Sequence, residues 1–255
     1  MNKLRADHPG KDAAASSYLI ESEHYAEQEK IDKARKQLID LTDNPVYKNS
    51  EYVPFALFRL ASLAERLGRE ENLREANKRI EDLVELASRS TVAGQADLLF
   101  AARLKQGDIF RKLNDFPAAQ RAYEDLVNRY PRRPDVVLAQ LALAECHNAQ
   151  SSSRGDPLSA DSSHADSAQL IFEQLRDRVD APRDVRVEAG YNLGLLLARR
   201  GKAEEAVIVW WRDVVHPFLK EEGGGLPDWR SFKGFTCPMW EDETTPVKER
   251  KVVSG

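Results

Sequence analysis

Residues 107–131 read GDIFRKLNDFPAAQRAYEDLVNRYP, and in them Gly107, Phe110, Ala119, Tyr123 and Pro131 fall at offsets of 0, 3, 12, 16 and 24. Side chains three and four apart share one helix face. Asn114-Asp115 separates the two halves. The spacing therefore predicts two packed helices joined by a tight turn, with small residues where they approach. A second copy lies near the C-terminal end. Tyr191-Asn192-Leu193-Gly194 is followed by Leu197, Gly201, Ala206 and Trp210, and Gly194 precedes Ala206 by twelve residues, as Gly107 precedes Ala119. Gly201 stands where the first helix has to end, a left-handed position that favours Gly and sometimes Asn. Asn114 and Gly68 hold the same place in other copies. The aromatic one turn after each alanine is expected to fill the gap between successive pairs.

The same ruler finds three weaker copies. Tyr18, Ser22, Tyr25, Ala34, Leu38 and Leu41 make the first, closed by Asn44-Pro45. Leu60-Ala61, Ala64, Gly68, Ala76, Ile80 and Leu83 make another. In the fourth, Leu143-Ala144 and His147 open the unit, and Ala168, Phe172 and Leu175 close it. Between its halves lies QSSSRGDPLSADSSHA, too poor in apolar surface to offset the entropy of ordering it. It reads as a mobile insertion at about 150–165. The expected organisation is one helical repeat domain over 1–220, with pairs at about 12–43, 53–88, 95–130, 134–179 and 183–220. Pro and Asp in the linkers fit helix stops and N-caps. No alternating strand pattern appears. The tail, 221–255, loses the helical period yet carries Trp229, Phe232, Phe235, Met239 and Trp240. An array needs its last apolar face covered. Either residues 226–240 are expected to fold back as an irregular cap over Val207, Trp210, Trp211 and Val214, with 241–255 disordered, or the chain is cut from a longer array and that face is sticky.

Composition bears mainly on partners and compartment. Of the 255 residues, 31% are charged and 8% aromatic, and the formal net charge is −4. No global basic field argues for nucleic acid. No stretch has the roughly 20 apolar residues of a membrane span, and the start, MNKLRADHPGKDAAASS, lacks the apolar core of a signal peptide. As given, the chain reads as cytoplasmic. As a piece of an exported protein it would be periplasmic or envelope-associated. Cys146 and Cys237 cannot form a disulfide framework, and Cys146, within LALAECH, reads as core.

With its small, aromatic, small, aromatic, proline rhythm, the chain resembles the tetratricopeptide repeat (TPR) superfamily over roughly residues 14–218. Within it, DFPAAQRAYEDLVNRYPRRPDVVLAQLALAECH, with its turn Tyr130-Pro131 and Pro134, is similar to the bacterial envelope subgroup, BamD-like and Tol–Pal-associated. The resemblance implies an all-α, right-handed TPR-like superhelix (α-solenoid) of about five pairs and a protein-binding role. Some TPR domains hold a C-terminal carboxylate with a Lys/Asn clamp. Asn192 matches one clamp position, but Ala139 and Leu143 stand where Lys and Asn belong, so that clamp is absent.

In the superhelix implied, first helices line a concave groove. The groove positions are Phe58, Arg59 and Arg66; Leu104, Lys105, Asp108, Arg111 and Lys112; Leu141, Glu145 and Asn148; and Tyr191, Asn192, Leu195 and Arg199. Apolar and aromatic contacts beside several cations suit a peptide with some acidic character, since Arg and Lys bind carboxylates. The competing reading is that these are ordinary solvated charges. Catalysis finds no residue set. None of His8, His24, His147, His164 and His216 has a metal-ligand partner at a useful spacing, His147 reads as a packing residue, and Gly223-Gly224-Gly225 lacks the Lys-Ser/Thr of a phosphate loop. The expected function is thus a non-catalytic interaction scaffold without cofactor or metal, binding a peptide or protein in a bacterial cell-envelope assembly. The alternative is a structural segment of a longer repeat protein that associates end to end.

Overall fold

The computed structural model describes residues 2–88, 95–152 and 162–215. The expected insertion falls largely on 153–161, which lie outside them: Gln150 to Ser152 close one helix, and Ser162 to Ala165 open the next. The expected cap and disordered end also lie outside them.

Eleven α-helices follow one another among the described residues, and no strand occurs. They are α1 (Asn2–Asp7), α2 (Asp12–Glu27), α3 (Ile31–Thr42), α4 (Tyr52–Leu67), α5 (Glu70–Ser88), α6 (Gln95–Lys112), α7 (Phe116–Arg129), α8 (Val136–Ser152), α9 (Ser162–Asp177), α10 (Arg183–Arg199) and α11 (Ala203–Val209). A 3-10 turn, Pro45–Tyr47, precedes α4, and a π-helical segment, Trp210–Val215, continues α11. The chain is all-α and built of antiparallel helix pairs.

Turn chemistry explains where the first helices stop. Gly68 and Gly201 sit at φ +68° and +76°, in the left-handed region that glycine enters without strain. Asn114 takes φ 59°, as Asn tolerates. Glu29 takes the same conformation at φ 59°, although its side chain does not favour it. Behind three of these residues the next amide reaches back across the turn: Lys30 N–H donates to the Tyr25 carbonyl, Asp115 N–H to Phe110 and Lys202 N–H to Leu197, each at 2.9 Å. The bonds satisfy carbonyls that a helix end leaves open.

The chain divides into two compact units, residues 1–126 and 127–255. In the first, α2, α3 and α4 bury Ala14, Ala34, Leu38, Leu41 and Leu60, while α4, α5 and α6 bury Ala61, Ala76, Ile80, Leu83 and Ile109. In the second, α8 to α11 bury Ala144, Ala168, Phe172, Leu175, Leu193 and Ala206. Apolar residues three and four apart supply each face, the stripe an amphipathic helix needs.

The small residues do what their spacing implied, and two aromatics pack on them. The Tyr123 ring lies on Gly107 of its own pair, where a Cβ would meet the ring at 2.4 Å. Trp210 lies on Gly194 in the same way, at 2.1 Å. Each aromatic locks its own helix pair from within. Hydrogen bonds fix both rings: the Tyr123 hydroxyl donates to Asp108 Oδ1 at 2.6 Å, and Trp210 Nε1–H donates to the Tyr191 carbonyl at 3.0 Å. A phenol or indole buried against a backbone needs such a partner.

Candidate partner-binding face

In the first unit, side chains from α2, α4 and α6 form a seam of charge. Arg59 on α4 pairs with Glu23 on α2. One turn and a half further along α4, Glu65 receives two lysines of α6. Lys105 Nζ donates to its Oε2 and Lys112 Nζ to its Oε1, each at 2.6 Å. Seven residues separate these lysines, two turns of one helix, so one carboxylate spans both. The Glu65 side chain is only 13% exposed, against 52% for Lys112. Burial pushes the Glu65 carboxyl up, but hydrogen bonds and charge from Lys105 and Lys112 outweigh it and hold the group below its ordinary value. Lys105 also lies 5.6 Å from the centroid of the Phe58 ring, within cation–π reach.

Two more of the expected cations lie on first helices of this unit. Arg111 stands 3.8 Å from Asp108, whose other engagement is with Tyr123. Arg66 is exposed and makes no ion pair among the described residues. The seam thus sets Arg59, Lys105, Arg111 and Lys112 against Glu23, Glu65 and Asp108.

In the second unit, two described bridges join the first helices, each pairing an amide with a charged side chain. Arg199 on α10 donates to Asn148 Oδ1 on α8 at 2.7 Å, and Asn192 Nδ2 donates to Glu145 Oε1 at 3.4 Å. Tyr191 is 49% exposed. The structure therefore brings Lys105 to Lys112, Asn148 to Arg199 and Asn192 to Glu145, and leaves Arg66 apart.

Sequence reasoning placed Asp108 and Glu145 on these faces but missed two other acids that answer the cations. Glu23 and Glu65 were not among the expected face residues, although Glu65 adjoins Arg66 and lies three before the turn glycine. Extending the ruler by one helical turn would have found it. Also missed was the meeting of His147 on α8 with His164 on α9, whose Nδ1 atoms lie 2.9 Å apart, so one ring donates and the other accepts. Among the described residues no three His, Cys, Asp or Glu side chains converge as metal ligands. A polar cleft of about 530 Å³ is lined by Arg5, Tyr18, Tyr25, Lys33, Lys36 and Asp40, among others. Its Arg5 is spent internally on Ser17, Gln37 and Glu21. None of the described helices is long and apolar enough to cross a membrane.

Helix pairs joined by a left-handed turn and locked by an aromatic on a small residue define a helical-repeat fold of the tetratricopeptide type. The family comparison supports that class: residues 104–153 match the tetratricopeptide repeat family (TPR_16). No curated protein matches the chain. Among solved structures, it is similar to the nearly identical TPR-like repeats of a putative kinesin light chain of Podospora anserina, with 14% identity and a TM-score of 0.62 over 84% of this chain and 99% of that one. BtubC (BKLC) from P. vanneervenii gives 16% identity and a TM-score of 0.61 over 89% and 88%. MamA residues 41 to the end, from Desulfovibrio magneticus RS-1, give 13% and 0.58 over 82% and 97%. At such identities the likeness is one of fold. Proteins of this fold typically serve as interaction scaffolds, which is the class of function it suggests for this chain.

Proposed function

We propose that the chain is a non-catalytic scaffold that holds a peptide segment of acidic character on its first-helix faces, chiefly the α2, α4 and α6 face of the first unit. The observation that carries this reading is the surplus of cations there. Lys105 and Lys112 share the single carboxylate of Glu65, and Arg66, the next residue of α4, is exposed. Carboxylates of a bound segment would complete pairs that the chain leaves short. Charge-assisted bonds from Lys and Arg are the stronger kind of hydrogen bond. Phe58 lies beside Lys105 and offers apolar contact. In the second unit, Tyr191, Asn192, Asn148 and Arg199 would supply neutral donors and one cation.

A place in a bacterial envelope assembly belongs to the same proposal. It is supported by the turn Tyr130-Pro131 with Pro134, and fractionation of the native cell tests it. The binding test is fluorescence anisotropy with a labelled glutamate-rich decapeptide. Replacing Arg66, Arg111 and Lys112 together by Ala is expected to weaken binding by at least about tenfold, roughly 1.4 kcal/mol. Unchanged binding by the triple variant would sink the proposal.

A further inference from the structure

We infer that Glu65 is a built-in competitor, an internal carboxylate that occupies Lys105 and Lys112 in the unbound chain and that a carboxylate of the ligand displaces. The inference rests on the acidic-peptide reading above. Three features carry it. Both oxygens of Glu65 are engaged, each by a separate lysine at 2.6 Å. The two lysines come from α6 and the acid from α4, so the contact bridges two first helices of the candidate face. One lysine remains about half exposed, whereas the acid is largely covered. An incoming carboxylate therefore reaches Lys112 from solvent and exchanges one charge-assisted bond for another. That exchange is nearly balanced and yields little net affinity. What the internal acid provides is discrimination: neutral segments cannot replace it, and a segment with two nearby carboxylates replaces it best. Without Glu65, two lysines two turns apart would face each other unneutralised, a cost that any acidic ligand relieves.

The test compares the full chain with Glu65→Gln and Glu71→Gln, using the labelled glutamate-rich decapeptide and a glutamine-rich decapeptide of equal length. Glu71 is an exposed carboxylate of α5, so its variant carries the same change of net charge away from the seam. Glu65→Gln is expected to bind the acidic peptide about three- to tenfold more tightly, a gain discounted for the exposure of Lys112. Glu71→Gln and the glutamine-rich peptide should show no such gain. Acidic-peptide affinity unchanged or weakened in a folded Glu65→Gln protein, or raised equally by Glu71→Gln, overturns the inference. If the wild type binds through Arg66, Arg111 and Lys112 but Glu65→Gln gains nothing, the competitor idea alone fails. If neither form binds, both readings fall. Should circular dichroism show Glu65→Gln unfolded, Glu65→Asp serves in its place: it keeps the charge but shortens the reach, and is expected to bind more tightly than wild type by a smaller factor. No gain there overturns the inference as well.

Discussion

Four residues set the turns within helix pairs: Glu29, Gly68, Asn114 and Gly201 all take positive φ. Three are of types that enter this region readily, and Glu29 is not. A left-handed conformation costs an ordinary L-residue about 1–2 kcal/mol, so Glu29→Gly is expected to raise stability by roughly 1 kcal/mol, less the added freedom of the unfolded chain. Gly68 provides the mirror experiment. No atom lies within 4 Å of the place its Cβ would occupy, so Gly68→Ala carries only the backbone term and should lower stability by about 1 kcal/mol. Urea titration measures both. A loss in Glu29→Gly, or no loss in Gly68→Ala, would contradict the turn geometry. Glu65 adds a dependence on pH. Its carboxyl is held below its ordinary value when folded, so its contribution is fully present above the unfolded Glu value of about 4.3 and is lost as pH falls through the lower, folded value. Wild type should lose stability over this acid range more steeply than Glu65→Gln, and parallel curves would argue against the bridge.

At the level of elements, the lock between Gly107 and Tyr123 and that between Gly194 and Trp210 hold their pairs together. Gly107→Ala would drive a methyl into a fully buried ring tied to Asp108, and Gly194→Ala would drive one into the Trp210 indole. Each is expected to cost about 1–3 kcal/mol, measurable by thermal or denaturant unfolding, and a cost near zero would mean the helices are not in contact there. The all-α class was legible because Gly107, Ala119 and Tyr123 repeat in spacing as Gly194, Ala206 and Trp210, and because Gly68, Asn114 and Gly201 mark helix ends by their own conformational preference. That Tyr123 and Trp210 rest on Gly107 and Gly194 was not legible, since spacing within a helix says which face a ring is on and not which neighbour it meets. Glu29 escaped notice because a residue strained in its turn leaves no compositional mark. The π-helical course of Trp210–Val215 had no sequence signal either: WWRDVV contains no Gly or Pro. The candidate site was half visible. Cations on first helices could be placed by the repeat, but their acids depend on reach between helices 36 to 47 residues apart.

For the whole molecule, the two compact units share one way of building a pair and differ in what joins their first helices. In the first, lysines and an arginine meet carboxylates; in the second, Arg199 meets Asn148 and Asn192 meets Glu145. On the proposed reading, the acidic segment lies on the α2, α4 and α6 face of the first unit. Hydrogen exchange of the full chain, with and without the glutamate-rich decapeptide at saturating concentration, tests this most directly. Protection concentrated in α4 and α6, residues 52–67 and 95–112, and suppressed by high salt, is the predicted result. Protection confined to other helices, or none at a concentration where the peptide is bound, would contradict the account.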